Sequence, residues 1–321
     1  MSCDTSLLVA DVGGTNARFA LAEKREKISV SQVKILATGD YDSLSSAALA
    51  YLAQTSGPRP EVAAIAIAGP VVEDHVKMTN CPWSFTRSSL AADVGLSEVK
   101  LLNDFEAIAC ALPHIEPQEL LKIGGGSIIE GGTKVVIGPG TGIGVAALAP
   151  VGPGWKILAS EGGHVGFAPA DDLERQILRT VKYKYPRVSV ERVISGQGFS
   201  TLHQALATLR GEDAEILTPQ EITKRAIEKP ASDCGQVVGI FCSILGSFAG
   251  DMAVTFNATG GVYLAGGILP KIQEFFLASK FRERFENKGR LTYVKDIATQ
   301  QIMLPQPALI GTAALVYGQY Y

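Results

Sequence analysis

The sequence lacks clustered cysteines. Its five cysteines, at positions 3, 81, 110, 234 and 242, are odd in number and scattered. They form no Cys-x-x-Cys pair, which argues against a disulfide framework and a cysteine zinc site. A reducing, intracellular compartment fits that usage. No apolar run approaches the roughly 18 residues that a membrane helix needs. There is no basic excess either: the net charge of −3 offers no nucleic-acid surface. Met1-Ser2-Cys3-Asp4 lacks the basic start of a signal peptide. The two commonest nucleotide fingerprints are missing, since no G-x-G-x-x-G and no Gly-Lys-Ser/Thr occurs. What remains is a chain of 321 residues, 46% hydrophobic and 19% charged, long enough for two domains and a large core.

The stretch Asp11-Val12-Gly13-Gly14-Thr15-Asn16-Ala17-Arg18 lies between two apolar runs, Leu7–Ala10 and Phe19–Ala22. This predicts a strand, a tight turn and a second strand. Two glycines without Cβ let a ligand approach the main-chain N–H groups. A run of such groups suits phosphate, and Asp11 beside it makes sense if Mg²⁺ lies between them. A plain Gly-Gly hairpin explains the same residues without a ligand.

A third strand over 33–37, a helix over 42–55 and a buried strand over 62–68 ending at Gly69-Pro70 complete an α/β domain with a mixed sheet. Asn80-Cys81-Pro82-Trp83 reads as a turn with an aromatic anchor, and Arg87–Gly95 as a helix. The buried strand Val99–Leu102 runs into Asn103-Asp104-Phe105-Glu106 and an apolar helix reaching about Leu112. Polar residues at the carboxyl end of such a strand occupy the place where open α/β sheets bind ligands. Either could equally cap the helix. Pro113 and Pro117 mark a domain crossing.

The second half opens as the first does, with Lys134–Ile137, the turn Gly138-Pro139-Gly140-Thr141-Gly142-Ile143-Gly144, then Val145–Leu148. The pattern suggests an internal duplication with two phosphate-binding turns. Ser160-Glu161-Gly162-Gly163-His164 follows another strand, and its glycines let Glu161 and His164 turn toward one cavity. No other histidine lies near His164 in sequence, which disfavours a metal there. Glu191, among apolar residues, is either a helix-start charge or a ligand contact. Helices are expected near 171–184, 197–209, 219–228, 232–257 and 270–287. The glycines, alanines and serine of 232–257 allow close packing, and Asp233, Gln236 and Asp251 interrupt it as a membrane signal. Gly260–Ile268 reads as a strand ending on Gly266-Gly267, and Ala308–Gly318 as an apolar helix.

Three turns thus stand in order: Asp11-x-Gly-Gly-Thr, Gly138-x-Gly-Thr-Gly and Leu264-Ala-Gly-Gly. The set resembles the sugar kinase/Hsp70/actin superfamily over essentially the whole chain. Within it the chain is most similar to the bacterial glucokinases, a hexokinase-like group outside the ROK kinases. The matching pieces are Asp11–Arg18, Leu101–Glu106, Glu161–Phe167, Glu191–Gly196 and Gly260–Ile268. ROK proteins carry a cysteine zinc motif after their Glu-x-Gly-His segment, and none follows here; nor is there a helix-turn-helix of a repressor.

The resemblance implies an actin-like ATPase (ribonuclease H-like) fold, two α/β domains with mixed sheets closing on a central cleft. Residues 1–112 plus 305–321 would form the small domain and 113–304 the large one, with the helices after Asp104 and Gly311 as connectors. It implies ATP-dependent phosphorylation of glucose at the 6-hydroxyl. Asp104 would accept the proton, and Asn103, Glu161, His164 and Glu191 would bind the sugar with it. Ala10, Asp11, Val12, Gly13, Gly14, Thr15, Asn16, Arg18, Gly140, Thr141 and Gly142 would hold the nucleotide phosphates, and Gly266 and Gly267 the adenine. Asp11 would orient Mg²⁺ through water, and no zinc is expected. It further implies a cytoplasmic homodimer acting on glucose and ATP, with no nucleic-acid or membrane partner. Another hexose kinase (a fructokinase, mannokinase or amino-sugar kinase) is the alternative. An actin-like ATP-binding scaffold is disfavoured by the Asn103-Asp104 and Glu161–His164 pairs.

Overall fold

A computed structural model of the chain describes residues 6–69, 71, 74–78 and 80–321. Met1-Ser2-Cys3-Asp4 and Pro70 lie outside the described residues. In order the elements are β1 (Leu7–Val12), β2 (Asn16–Lys24), β3 (Ile28–Ala37), α1 (Leu44–Leu52), β4 (Val62–Ile67), β5 (His75–Lys77), β6 (Ser84–Thr86), α2 (Arg87–Val94), β7 (Glu98–Asn103) and α3 (Asp104–Ala111). Then come β8 (Leu120–Gly124), β9 (Lys134–Pro139), β10 (Ile143–Val151), β11 (Gly154–Ser160), α4 (Asp172–Lys182), α5 (Gly196–Arg210), α6 (Pro219–Glu228) and α7 (Asp233–Thr255). The last are β12 (Val262–Leu264), α8 (Gln273–Leu277), α9 (Phe281–Glu286), β13 (Thr299–Ile302) and α10 (Pro307–Tyr317). The chain divides into two compact units. Unit 1 takes Met1–Leu120, Leu148–Ala159 and Met303–Tyr321; unit 2 takes Leu121–Ala147 and Ser160–Ile302.

Unit 1 is built on a mixed sheet of order β3-β2-β1-β4-β7. β1 pairs antiparallel with β2 and parallel with β4, and β4 pairs parallel with β7. Alternation along β1 sends its side chains to two cores. Leu8, Ala10 and Val12 pack with Leu44, Tyr51, Leu90 and Val94, under α1 and α2. Leu7 and Val9 pack with Leu309 and Ala313 of α10. α1 and α2 each start on a capping box, Ser43 with Ser46 and Thr86 with Ser89. Such reciprocal bonds satisfy N–H groups that a helix start leaves open. α2 stops at Gly95, whose φ of 79° is left-handed and suits glycine. α3 lies against α10 so tightly that a Cβ on Gly311 would run into the carbonyl of Ala107.

The second sheet has the order β11-β10-β9-β12-β13-β8, with β12 parallel to both β9 and β13. α7 is the core helix of unit 2. By length and composition alone it could cross a membrane, contrary to the reading that no run comes close. Its valines, isoleucines, leucine, phenylalanines and cysteines keep the average hydropathy high while Asp233 and Asp251 sit near its ends. In the fold, 72% of its most apolar 18-residue window is buried. Two of its small residues meet neighbouring backbone directly, Gly246 at the carbonyl of Phe281 and Gly250 at that of Phe285.

Two expected elements change. The strand expected over 260–268 contracts to Val262–Leu264. The helix expected over 270–287 splits into a 3-10 turn, Leu269–Ile272, then α8 and α9. Ser279 makes the break: its hydroxyl donates to the Phe276 carbonyl at 2.6 Å and accepts from the Phe281 N–H at 3.2 Å. Short strands β5, β6, β8 and β13 were not foreseen. They are three to five residues long, and β13 reads Thr-Gln-Gln-Ile.

Candidate active site

In unit 1 the first glycine turn joins β1 to β2. Its backbone is closed on itself and on one outside residue. The Gly13 N–H donates to the Asn16 carbonyl at 2.9 Å. The Thr38 hydroxyl donates to the Gly14 carbonyl at 2.8 Å, and the Thr38 N–H to the Thr15 carbonyl at 3.0 Å. Gly14 is required by packing: a Cβ there would lie 2.5 Å from the Asn80 Cβ and 2.8 Å from its carbonyl oxygen. Thr15 is exposed at the tip. Ala10 and Val12 are fully buried in the core, so neither offers a side chain to a ligand.

Asp11 sits opposite Arg18 in the β1–β2 ladder, and the guanidinium Nη1 is 3.2 Å from the carboxylate Oδ2. Burial nevertheless holds the Asp11 carboxyl above its usual range, with Arg18 acting against it.

Asn103 and Asp104 lie where β7 passes into α3. Asn103 is the N-cap: its side-chain oxygen accepts from the Phe105 N–H at 2.8 Å. Its own N–H is taken by Glu106 at 3.1 Å, closing a capping box. Its amide also donates to the Gly69 carbonyl at 3.0 Å, tying the end of β7 to the chain leaving β4. Asp104 accepts a second bond from the Phe105 N–H at 3.0 Å. Its carboxyl is pushed up to about 6, mainly by burial and then by the charge of Asp11. A half-buried acid with that affinity for a proton is well placed to act as a base near neutral pH.

In unit 2 the second glycine turn, Gly140-Thr141-Gly142, joins β9 to β10. The Gly140 N–H donates to the Gly142 carbonyl at 2.7 Å, and the Gly196 N–H at the start of α5 donates to the Gly140 carbonyl at 2.7 Å. The third turn packs on the same strand end. The Ala265 N–H donates to the Ile137 carbonyl at 2.8 Å. Gly266 has φ of 91° and no room for a Cβ, the Pro139 oxygen lying 2.5 Å from where one would sit. Gly267 faces open space, and both glycines are exposed.

Glu161 and His164 bracket a 3-10 turn over Gly162–His164. Both are exposed, and Nε2 of His164 is 3.9 Å from Oε2 of Glu161. Glu191 lies in the 3-10 turn Val190–Arg192, and its Oε2 accepts from the Ile143 N–H at 3.1 Å. The two loops are laced together, the Val190 N–H donating to the Val165 carbonyl at 2.9 Å and the Phe167 N–H to the Val188 carbonyl at 3.0 Å.

The glucokinase family model matches residues 8–319. This chain belongs to the glucokinase family. The glucokinase of Chromobacterium violaceum is 45% identical over 96% of this chain and 88% of its own length. That of Saccharophagus degradans is 40% identical over 96% and 97%. Among solved structures, the glucokinase of an Antarctic psychrotroph superposes with a TM-score of 0.90 at 34% identity, covering 97% of this chain and 98% of that one. The protein is an enzyme, a glucose kinase that uses ATP.

For a glucokinase the grouping is informative within each unit. Unit 1 brings Asp11, Arg18, Asn103 and Asp104 to the carboxyl ends of β1 and β7 and the facing strand β2. Unit 2 brings Gly140, Thr141, Gly142 and Glu191 together, with Gly266 packed on the end of β9. Thr38 and Asn80 lie against the first turn, and the sequence does not mark either as a site residue: Asn80 reads only as the start of a turn, and each reaches the glycine turn from a distant loop.

Proposed function

We propose that this glucokinase transfers the γ-phosphoryl group of ATP to the 6-hydroxyl of glucose, with Asp104 as the base. The half-buried Asp104 carboxyl at the rigid end of β7, raised to about 6, is the observation that carries this reading. A primary alcohol hardly ionises near neutral pH, so its proton must leave as the new O–P bond forms. A base of raised pKa, largely ionised at pH 7, can take it. The cap role of Asn103 spares Asp104 from being the sole acceptor at the helix start.

Asn103, Glu161, His164 and Glu191 hydrogen-bond the remaining sugar hydroxyls in this assignment. A sugar offers donors and acceptors at every carbon, and carboxylate, amide and imidazole groups suit both. Gly13, Gly14, Thr15, Asn16 and Arg18 with Gly140, Thr141 and Gly142 hold the phosphates, and Gly266 and Gly267 receive the adenine. The exposed, Cβ-free surface of Gly267 supports the last assignment.

Asp11 fits Mg²⁺ in the usual manner of that ion, held by one or two carboxylates, waters and substrate phosphates. When bound, Mg²⁺ supplies charge neutralisation on the phosphates. Arg18 then has two anionic neighbours to serve, Asp11 and the nucleotide.

We read the fold as the actin-like ATPase type, with residues 1–112 and 305–321 as small domain and 113–304 as large domain, and the chain as outside the ROK group. The scattered cysteines support the last point. Family resemblance supports a cytoplasmic homodimer that supplies glucose 6-phosphate to glycolysis.

The test is coupled ADP release with Mg²⁺ and ATP across a hexose panel. Glucose is expected to be the preferred acceptor, with fructose and galactose much poorer. Equal or better turnover of fructose would move the assignment to another hexose kinase.

A further inference from the structure

Ile143 is the point at which three functional segments of unit 2 meet. It is the first residue after the Gly140-Thr141-Gly142 turn, and it is buried. Its N–H donates to Oε2 of Glu191 at 3.1 Å. Its other side is pressed against Gly163, between Glu161 and His164: a Cβ on Gly163 would collide with the Ile143 carbonyl oxygen and lie 2.5 Å from its Cγ2. Glu191 also lies directly over Gly142, where a Cβ would collide with Oε2. The turn is held from behind as well, by the Gly196 N–H on the Gly140 carbonyl at 2.7 Å. The chain after Glu191 and the side chain of Glu191 therefore grip the same three-residue turn.

We propose that Glu191 is a positioning residue for the nucleotide's phosphate turn as well as a sugar ligand, so that glucose and ATP binding are linked through Ile143. The inference rests on the assignments made above for Glu191 and for the Gly140–Gly142 turn. A carboxylate has two oxygens. One serves the Ile143 N–H, and the other is available to a sugar hydroxyl. A hydroxyl bound there restricts rotation of the carboxylate and so holds Oε2 against the turn. Without sugar, the half-buried side chain makes this bond but is less restrained, so the bond holds only part of the time and the turn is less fixed. Coupling of this kind is reciprocal: if glucose tightens nucleotide binding, nucleotide tightens glucose binding by the same factor. Glu161 and His164 contribute differently. They are exposed side chains, and the link of their loop to the turn is the backbone contact of Gly163 with Ile143.

The chemistry separates two substitutions. Glu191→Gln keeps an oxygen that can accept from the Ile143 N–H but loses the charge. Glu191→Ala removes the acceptor altogether. Loss of a hydrogen bond to a charged group weakens an equilibrium by on the order of tenfold. Isothermal titration of the full-length protein with Mg²⁺ and a non-hydrolysable ATP analogue, with and without saturating glucose, reads this directly. Glu161→Gln serves as the comparison. In the wild type, glucose is expected to tighten the analogue by about fivefold or more, within the usual span of such coupling. In Glu191→Ala, the analogue without glucose should bind on the order of tenfold more weakly, and the effect of glucose should vanish. In Glu191→Gln, glucose-free nucleotide affinity should stay within about threefold of wild type, less than the loss of the whole bond, while glucose binding weakens. Glu161→Gln should weaken glucose and leave glucose-free nucleotide affinity alone.

Unchanged nucleotide affinity in glucose-free Glu191→Ala overturns the proposal, and so does a glucose effect on the analogue in Glu191→Ala as large as in the wild type. Either result leaves the glucose kinase assignment standing, because that rests on turnover in the hexose panel. Failure of the wild type to phosphorylate glucose would instead sink the assignment itself.

Discussion

Asp11 raises the proton affinity of Asp104. The two acids stand at the carboxyl ends of β1 and β7, with β4 between those strands. The charge of Asp11 adds to burial in pushing the Asp104 carboxyl up to about 6. Arg18, 3.2 Å from Asp11, opposes the burial that raises Asp11 itself. Ionised Asp11 is thus part of what makes Asp104 a stronger base.

This fixes an expected pH profile. With Asp104 acting ionised, kcat/KM should rise with pH along a limb centred near 6 in the free enzyme. Asp11→Asn removes a like charge and leaves Arg18 unpaired nearby. Both changes favour the ionised form of Asp104, so the limb should move to lower pH, whatever the loss in absolute rate. Normalised kcat/KM profiles check this. A limb that stays in place or moves up would show that Asp104 does not govern it.

Asp104→Asn should separate activity from stability. It keeps the size and one acceptor oxygen but cannot take a proton. A positioned base contributes about 10²–10⁴-fold, so kcat should fall by that range while glucose affinity changes less. Retention of more than about a tenth of kcat, well short of that range, would remove Asp104 as the base. The stability effect has the opposite sign. The folded carboxyl lies near 6 against 3.8 for the ordinary group, so the folded state binds more protons between those values. Stability is therefore lost as pH rises from about 4 to about 6. The substituted protein, free of that penalty, should be more stable above pH 6, by at most about 3 kcal/mol. Urea unfolding at pH 5 and pH 7.5 should show the advantage growing with pH.

Metal dependence offers a third check. Chelation should abolish ADP release, and Mg²⁺ should restore it. Zinc should be neither stoichiometric in metal-free preparations nor required. Activity recovered by zinc alone would overturn the expectation and reopen the ROK assignment.

Gly311→Ala should destabilise unit 1 although it adds only one methyl group. The Cβ would meet the backbone carbonyl of Ala107, which cannot turn aside as a side chain can. Overpacking of this type costs about 1–3 kcal/mol. Gly39→Ala is the control, since a Cβ there meets nothing within 4 Å. Its effect should stay within about 0.5 kcal/mol. Equal denaturation midpoints for the two would mean that α3 and α10 can separate at no cost.

Much of this molecule was legible in the sequence because its strands are apolar runs broken by glycine. The expected order of strands and helix in the first 70 residues, and the mixed sheet, match β1 to β4. α2 was read from the sequence as Arg87–Gly95, and the fold starts it on the Thr86–Ser89 capping box and ends it at Gly95. β13 was hidden because Thr299-Gln300-Gln301-Ile302 has little apolar character, and only its place beside β12 makes it a strand. The break at Ser279 was hidden because a serine hydroxyl bonding to backbone on both sides leaves no periodic signal. At the site, glycine spacing located the turns but not the reasons for each glycine. Gly14 and Gly266 are glycines because Asn80 and Pro139 lie against them, contacts between segments far apart in sequence or joined only by folding. The bond from the Ile143 N–H to Glu191 spans 48 residues and could not be read from either segment alone.

The distribution of unit 1 along the chain has a consequence for how the protein is made. Leu7 and Val9 are buried against Leu309 and Ala313 of α10. On the ribosome, β1 emerges about 300 residues before that helix exists, a wait on the order of 15–60 s at ordinary elongation rates. One apolar face of the nascent sheet has no permanent cover during that time, whereas Leu121–Ala147 and Ser160–Ile302 are complete earlier. Nascent unit 1, rather than unit 2, is therefore where chaperone holding should concentrate during synthesis. A chain stalled before residue 303 should expose its first strands to proteolysis while its second unit is already protected.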